Sequence, residues 1–128
     1  MKNLSNTLAL IVLFVCLSGC ESGRDTQLAQ KIRVEVIYPT LIKHKVCITA
    51  NSCELMNLCR YSLGDQIEWY IYSITDRQII NEMFENMSGF TKQLPRNKIF
   101  SISFYSTSEQ DLGFFDKPIA KLSIQGEQ

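Results

Sequence analysis

Apolar residues recur along this chain with three different periods. Residues 8–17, LALIVLFVCL, are continuously apolar; a run of about ten matches the core of a secretory signal and falls well short of the ~20 needed to span a bilayer. Further on, Ile32, Val34, Val36 and Tyr38 alternate with Lys31, Arg33 and Glu35 and are followed by Pro39. A period of two predicts a first strand with one wet face. Val46, Ile48 and Ala50 repeat the alternation across 44–51, which makes 40–43 the connection of a hairpin. Residues 52–64 hold Leu55, Met56 and Leu58 without a period and read as an irregular loop with a helical turn. Residues 65–74, DQIEWYIYSI, place β-branched and aromatic side chains on both faces, the composition of a central strand buried on two sides. The period then changes to three and four. Ile79, Ile80, Met83, Phe84 and Met87 follow a Thr75-x-x-Gln78 cap and precede Gly89, which predicts one amphipathic helix over 76–88. Phe100, Ile102 and Phe104 alternate with Ser101, Ser103 and Tyr105, and Ala120, Leu122 and Ile124 alternate with Ile119, Lys121 and Ser123. These segments predict two more strands on either side of a polar loop. Short strands with turn signals and one helix among them predict a mainly β fold, a small β-sandwich with an inserted amphipathic helix.

The apolar run at the start ends in Leu17-Ser18-Gly19-Cys20, which resembles the bacterial lipobox; its small residues let a peptidase bring the backbone close to its catalytic groups. That resemblance implies that 1–19 is a lipoprotein signal peptide, that Cys16 is filler within its apolar core, and that Cys20 is the first mature residue. It also implies a thioether-linked diacylglycerol on Cys20 and a further acyl chain on its amine. The other reading is an ordinary cleaved signal with a chance cysteine. Glu21 follows Cys20; in enterobacterial lipoproteins Asp at this place favours the inner membrane, so its absence points to the outer membrane. Residues 20–30 are polar with no apolar period and read as a flexible tether. That leaves 31–128 as one β-rich domain, too short for two cores.

Charge narrows the partners. Lys+Arg and Asp+Glu are balanced at 13 each, so no global field recruits nucleic acid, and the expected contacts are a membrane through acylated Cys20 and a protein in the periplasm. Cys47, Cys53 and Cys59 remain in the exported part. An oxidising compartment favours one bridge among them and one spare thiol. Cys59 is the favoured member, because a bridge from Cys53 to Cys59 staples the irregular loop. The competing reading is a Cys3His zinc site built with His44, the only histidine; without a C-x2-C knuckle, neither metal nor cofactor is expected. A nucleophile and base drawn from a cysteine and His44 lacks any family signature around it. Glu82 and Glu85 read as the solvated face of the helix. The chain thus reads as a binding or assembly module and not as an enzyme.

Its candidate contacts lie in the polar segment 106–117 that follows the strand IFSISFYST. Ser108, Glu109, Gln110 and Asp111 make a polar approach to Gly113, Phe114 and Phe115. In a strand, adjacent side chains point to opposite faces, so one ring is expected in the core and the other free for a partner. Residues 69–84, WYIYSITDRQIINEMF, and 101–115, SISFYSTSEQDLGFF, together with the lipobox, resemble the small outer-membrane lipoprotein of type VI secretion systems. The resemblance implies a transthyretin-like β-sandwich that holds the periplasmic end of an inner-membrane assembly partner. Two other functions fit a small acylated protein: a pilotin that carries a secretin to the outer membrane, and a periplasmic immunity or inhibitor lipoprotein that blocks a toxin or wall hydrolase.

Overall fold

A computed structural model describes residues 20–128, with side chains from residue 23 onward. The signal peptide expected over 1–19, and the side chain of Cys20, lie outside the described residues.

The first element overturns two expectations. Helix α1 (Cys20–Ile32) runs through a π-helical turn (Arg33–Ile37) into α2 (Tyr38–Lys43), where a tether over 20–30 and a strand over 31–38 were expected. Ala29, Ile32, Ile37 and Leu41 are fully buried and Val36 nearly so, whereas Val34 is 61% exposed. Spacings of three to five residues join the buried set, which is a helical stripe. The π turn has a local cause in Pro39, which lacks an N–H and whose ring crowds the carbonyl four residues back. The wider turn carries the chain past that point, and the Tyr38 N–H donates to the carbonyl of Arg33, five residues earlier. The Thr40 hydroxyl donates to the Val36 carbonyl at 2.8 Å.

The second expected strand, over 44–51, is also absent. In its place Thr49 caps a short helix, α3 (Ala50–Leu55), by a reciprocal box: the Ser52 N–H donates to Thr49 Oγ1 at 3.1 Å and the Thr49 N–H to Ser52 Oγ at 2.9 Å. Of the alternating set only Val46 packs against the core, while Ile48 is 84% exposed and Ala50 faces water.

The remaining elements form one sheet. β1 (Cys59–Leu63), read from sequence as part of the irregular loop, pairs antiparallel with β2 (Gln66–Ile71). α4 (Arg77–Gly89) crosses over to β3 (Ile99–Phe104), which lies parallel to β2, and β4 (Ala120–Gln125) closes the order β1-β2-β3-β4 antiparallel to β3. The cap of α4 is Asp76, whose carboxylate accepts the Gln78 N–H at 2.9 Å, and not Thr75. Register places Leu63, Ile67, Phe100 and Ile124 in one row and Tyr61, Trp69, Ile102 and Leu122 in the next. This apolar face packs on the helices. Gln66, Glu68 and Tyr70 on the other face of β2 are half-buried, so the central strand is dry on one side only.

The fold is therefore a four-stranded mixed sheet with helices, and not a mainly β-sandwich. A sandwich needs a second sheet to cover the apolar face; among the described residues, α1, α2 and α4 take that place.

The last residues lock the sheet's lower end. The N–H groups of Gly126, Glu127 and Gln128 donate to the carbonyls of Lys98, Thr91 and Leu94 at 3.2, 2.9 and 3.0 Å. A Cβ on Gly126 would stand 1.9 Å from the Pro95 carbonyl oxygen and 2.4 Å from that of Leu94. Backbone atoms have little room to yield, so Gly126→Ala is expected to cost about 3 kcal/mol, the upper end for overpacking. Urea unfolding checks this; a midpoint equal to the wild type's would show that the segment moves aside freely.

Candidate functional site

The loop between β3 and β4 is held in place by hydrogen bonds on both sides. It leaves β3 beside Tyr105, whose ring stacks on Tyr72 at 5.7 Å, and the Ser73 N–H donates to the Thr107 carbonyl at 2.9 Å. It re-enters the sheet where the Ile119 N–H donates to the Phe104 carbonyl at 2.8 Å. Two tight turns fill the interval. In the first, the Asp111 carboxylate accepts the Ser108 hydroxyl at 3.0 Å and the Asp111 N–H donates to the Ser108 carbonyl at 3.2 Å. In the second, the Gly113 N–H donates to Asp116 Oδ2 at 2.6 Å and the Asp116 N–H returns to the Gly113 carbonyl at 3.1 Å. Glu109 pairs with Arg60 on β1, tying the loop across the top of the sheet.

Phe114 and Phe115 sit at the tip of the second turn, 96% and 88% exposed, their rings edge to face at 5.2 Å. The expectation that one ring belongs to the core is overturned. A turn, unlike a strand, does not send neighbours to opposite faces, and this one projects both outward. Asp111 is exposed, but its carboxylate is committed to bracing the first turn. Together these residues make a convex, two-ring apolar projection on a stiff base.

One cysteine pair at disulfide distance and one free thiol are present, as expected, but the pairing differs from the favoured one. Cys47 and Cys53 stand at disulfide distance, with Cα atoms 5.2 Å apart, and Cys59, the favoured member, is the free one. α3 turns the chain so that Cys53 faces back to Cys47, while Cys59 has already entered β1. Burial pushes the Cys59 thiol up to about 11. Such a thiol is a poor nucleophile and ligand at neutral pH.

His44 turns to Glu82, and Lys43 reaches the same carboxylate. Neither the zinc set nor the cysteine–histidine pair is therefore assembled, and among the described residues no group of three or more His, Cys, Asp or Glu is placed to hold a metal ion. Lys43, His44, Gln78, Asn81, Glu82 and Glu85 line an open recess of about 350 Å³, in which the Lys43 and His44 side chains are both engaged on Glu82. Glu82 is expected on a solvated face; its two partners arrive from the end of α2, where the sequence predicts a turn. Hydrogen bonds from Lys43 and His44 hold its carboxyl below the usual carboxylate range. A depressed carboxyl contributes stability above its ordinary titration range and loses it as pH falls through the lowered value. Thermal melting between pH 7 and 3 is expected to fall more steeply in the wild type than in Glu82→Gln; parallel curves would show the pairing to be energetically silent.

The open face of the sheet is polar and internally satisfied at its most prominent residue. Tyr70 donates to Glu68 Oε2 at 2.7 Å, and burial, with that bond, pushes its phenol up to about 12.

The chain matches no protein-family model, no curated protein and no solved structure.

Proposed function

We propose that this chain is a lipid-anchored envelope protein, attached to the outer membrane through Cys20 and facing the periplasm, that binds a protein partner and catalyses nothing itself. The observation behind this reading is the Phe114–Phe115 projection, two aromatic rings almost wholly in water on a loop with braced turns. Exposed aromatics on rigid supports are the usual anchors of protein interfaces, because they gain burial without ordering a flexible loop. Assembly of a secretion-system envelope complex is the function class in which we place it, on the resemblance of segments 69–84 and 101–115. The single sheet adds nothing to that resemblance, whose implied sandwich it does not reproduce. The tip's convex shape favours a second reading, an immunity or inhibitor lipoprotein whose projection enters the cleft of a toxin or wall hydrolase.

Phe114→Ala/Phe115→Ala tests both readings against a structural role. At positions this exposed, thermal melting and circular dichroism are expected to stay within about 0.5 kcal/mol of the wild type, while capture of the partner in a pull-down falls at least tenfold. A variant that melts early yet binds normally once folded would make the rings structural and remove the tip as the interaction site.

A further inference from the structure

α1 allows the height of the tip above the membrane to be read, given the lipid anchor proposed for Cys20. The helix advances in step with β3. Asp25 pairs with Lys98, just before β3, at 2.9 Å. The carbonyl of Ala29 accepts the indole N–H of Trp69, which is in register with Ile102 at mid-strand, at 3.1 Å. Tyr38, further along the helical path, lies beside Cys59, which is in register with Ile71 and so with Phe104 at the strand's far end. The start of α1 therefore lies at the end of the sheet opposite the loop that carries Phe114 and Phe115. Helical backbone continues from Asp25 back to Cys20, and five residues at 1.5 Å each add ~7.5 Å of rise beyond the first packed position. The six residues of β3 span ~20 Å.

We infer that α1 is a rigid stalk, which holds the Phe114–Phe115 tip some ~25–30 Å from the acyl anchor and directs it away from the bilayer, so that the tip's occupant is a cleft in a protein and not lipid. An exposed aromatic pair on a lipoprotein would otherwise suit a membrane interface equally well. The opposite placement of anchor and tip decides between the two. A flexible tether would have let the domain roll and bring the rings to the lipid; a helix that is part of the packed fold does not. The convex tip also requires a concave partner with an apolar floor for two rings.

The test uses full-length protein purified with its lipid and reconstituted in phosphatidylethanolamine/phosphatidylglycerol vesicles carrying brominated acyl chains. Phe115→Trp supplies the probe at the tip, with Trp69, 1% exposed, as a constant background. The protein is expected to float with the vesicles, and Cys20→Ala is not. The emission of Phe115→Trp is expected to match that in unbrominated vesicles and to remain open to quenching by acrylamide. Flotation with marked quenching by bromolipid would place the tip in the bilayer and overturn the stalk while leaving the anchor intact. Failure of the wild type to float would overturn the anchor, and the stalk with it.

Discussion

Trp69→Ala is expected to destabilise the domain by about 4 kcal/mol, in the range of large-to-small aromatic truncations in cores. The indole is 1% exposed, lies 5.1 Å from the Tyr61 ring and has the Arg33 guanidinium 6.0 Å above it. Its N–H is also the hydrogen bond that joins the sheet to the middle of α1. Truncation removes the packing and leaves the Ala29 carbonyl without that donor. Against a total stability of about 5–15 kcal/mol for a domain, a loss of this size is a large fraction of the whole. Trp69→Phe keeps much of the ring volume and is expected to lose less, with about 1 kcal/mol of it from the hydrogen bond. Urea titrations of the three proteins measure the differences. A midpoint for Trp69→Ala within 1 kcal/mol of wild type would mean that the helix is held elsewhere, and that the stalk is not locked to the sheet at this point.

Cys20→Ala is expected to move the protein wholly from the membrane fraction to the soluble one and to abolish metabolic labelling by a clickable palmitate analogue. The argument is one of apolar length. Each acyl CH2 buried in the bilayer contributes about 0.8 kcal/mol, and two or three chains hold far more firmly than one. Among the described residues, no helix is long and apolar enough to cross a membrane, and the apolar run at 8–17 is too short to do so. On the proposed reading, the acyl chains on Cys20 are what hold the protein on the membrane, and the substitution removes their attachment point. Continued labelling of Cys20→Ala, or its retention on membranes after a carbonate wash, would contradict the lipobox reading.

The parts of the fold legible in the sequence were those whose period had one interpretation. Met83 and Met87 follow Ile79 and Ile80 at helical spacing and fit no strand; the structure has α4 there. Phe100, Ile102 and Phe104 fit only a strand, and β3 occupies them. The error at 31–38 arose because Ile32 and Val36, four apart, satisfy both periods. The residues that decide between them, Ala29 and Leu41, lay in segments read as tether and turn. Val34 made the alternation look complete, although its side chain faces water. The segment 59–63 reads as loop from sequence because the inward set of β1, Cys59, Tyr61 and Leu63, is only half-buried and mixes a cysteine with two unlike side chains. The choice of Cys59 as the bridged member rests on reading 52–64 as an irregular loop; the spacings from Cys53 to Cys47 and Cys59 are equal, and the Thr49 cap that turns α3 brings Cys53 to Cys47 while Cys59 enters β1. At the tip, the polar surroundings of Phe114 and Phe115 correctly marked the segment as exposed, but strand geometry was the wrong rule for residues inside a turn built by Gly113 and Asp116. The role of Glu82 was hidden because its partners, Lys43 and His44, come within reach only when α2 is a helix.

A photoreactive benzoylphenylalanine placed at position 115 in living cells, with adducts identified by mass, tests the central claim most directly. The account predicts one discrete protein adduct, reduced by Phe114→Ala and absent when the same probe replaces Val34, which is 61% exposed on the stalk side. Adducts of phospholipid mass, or the same protein adduct from both positions, would contradict it.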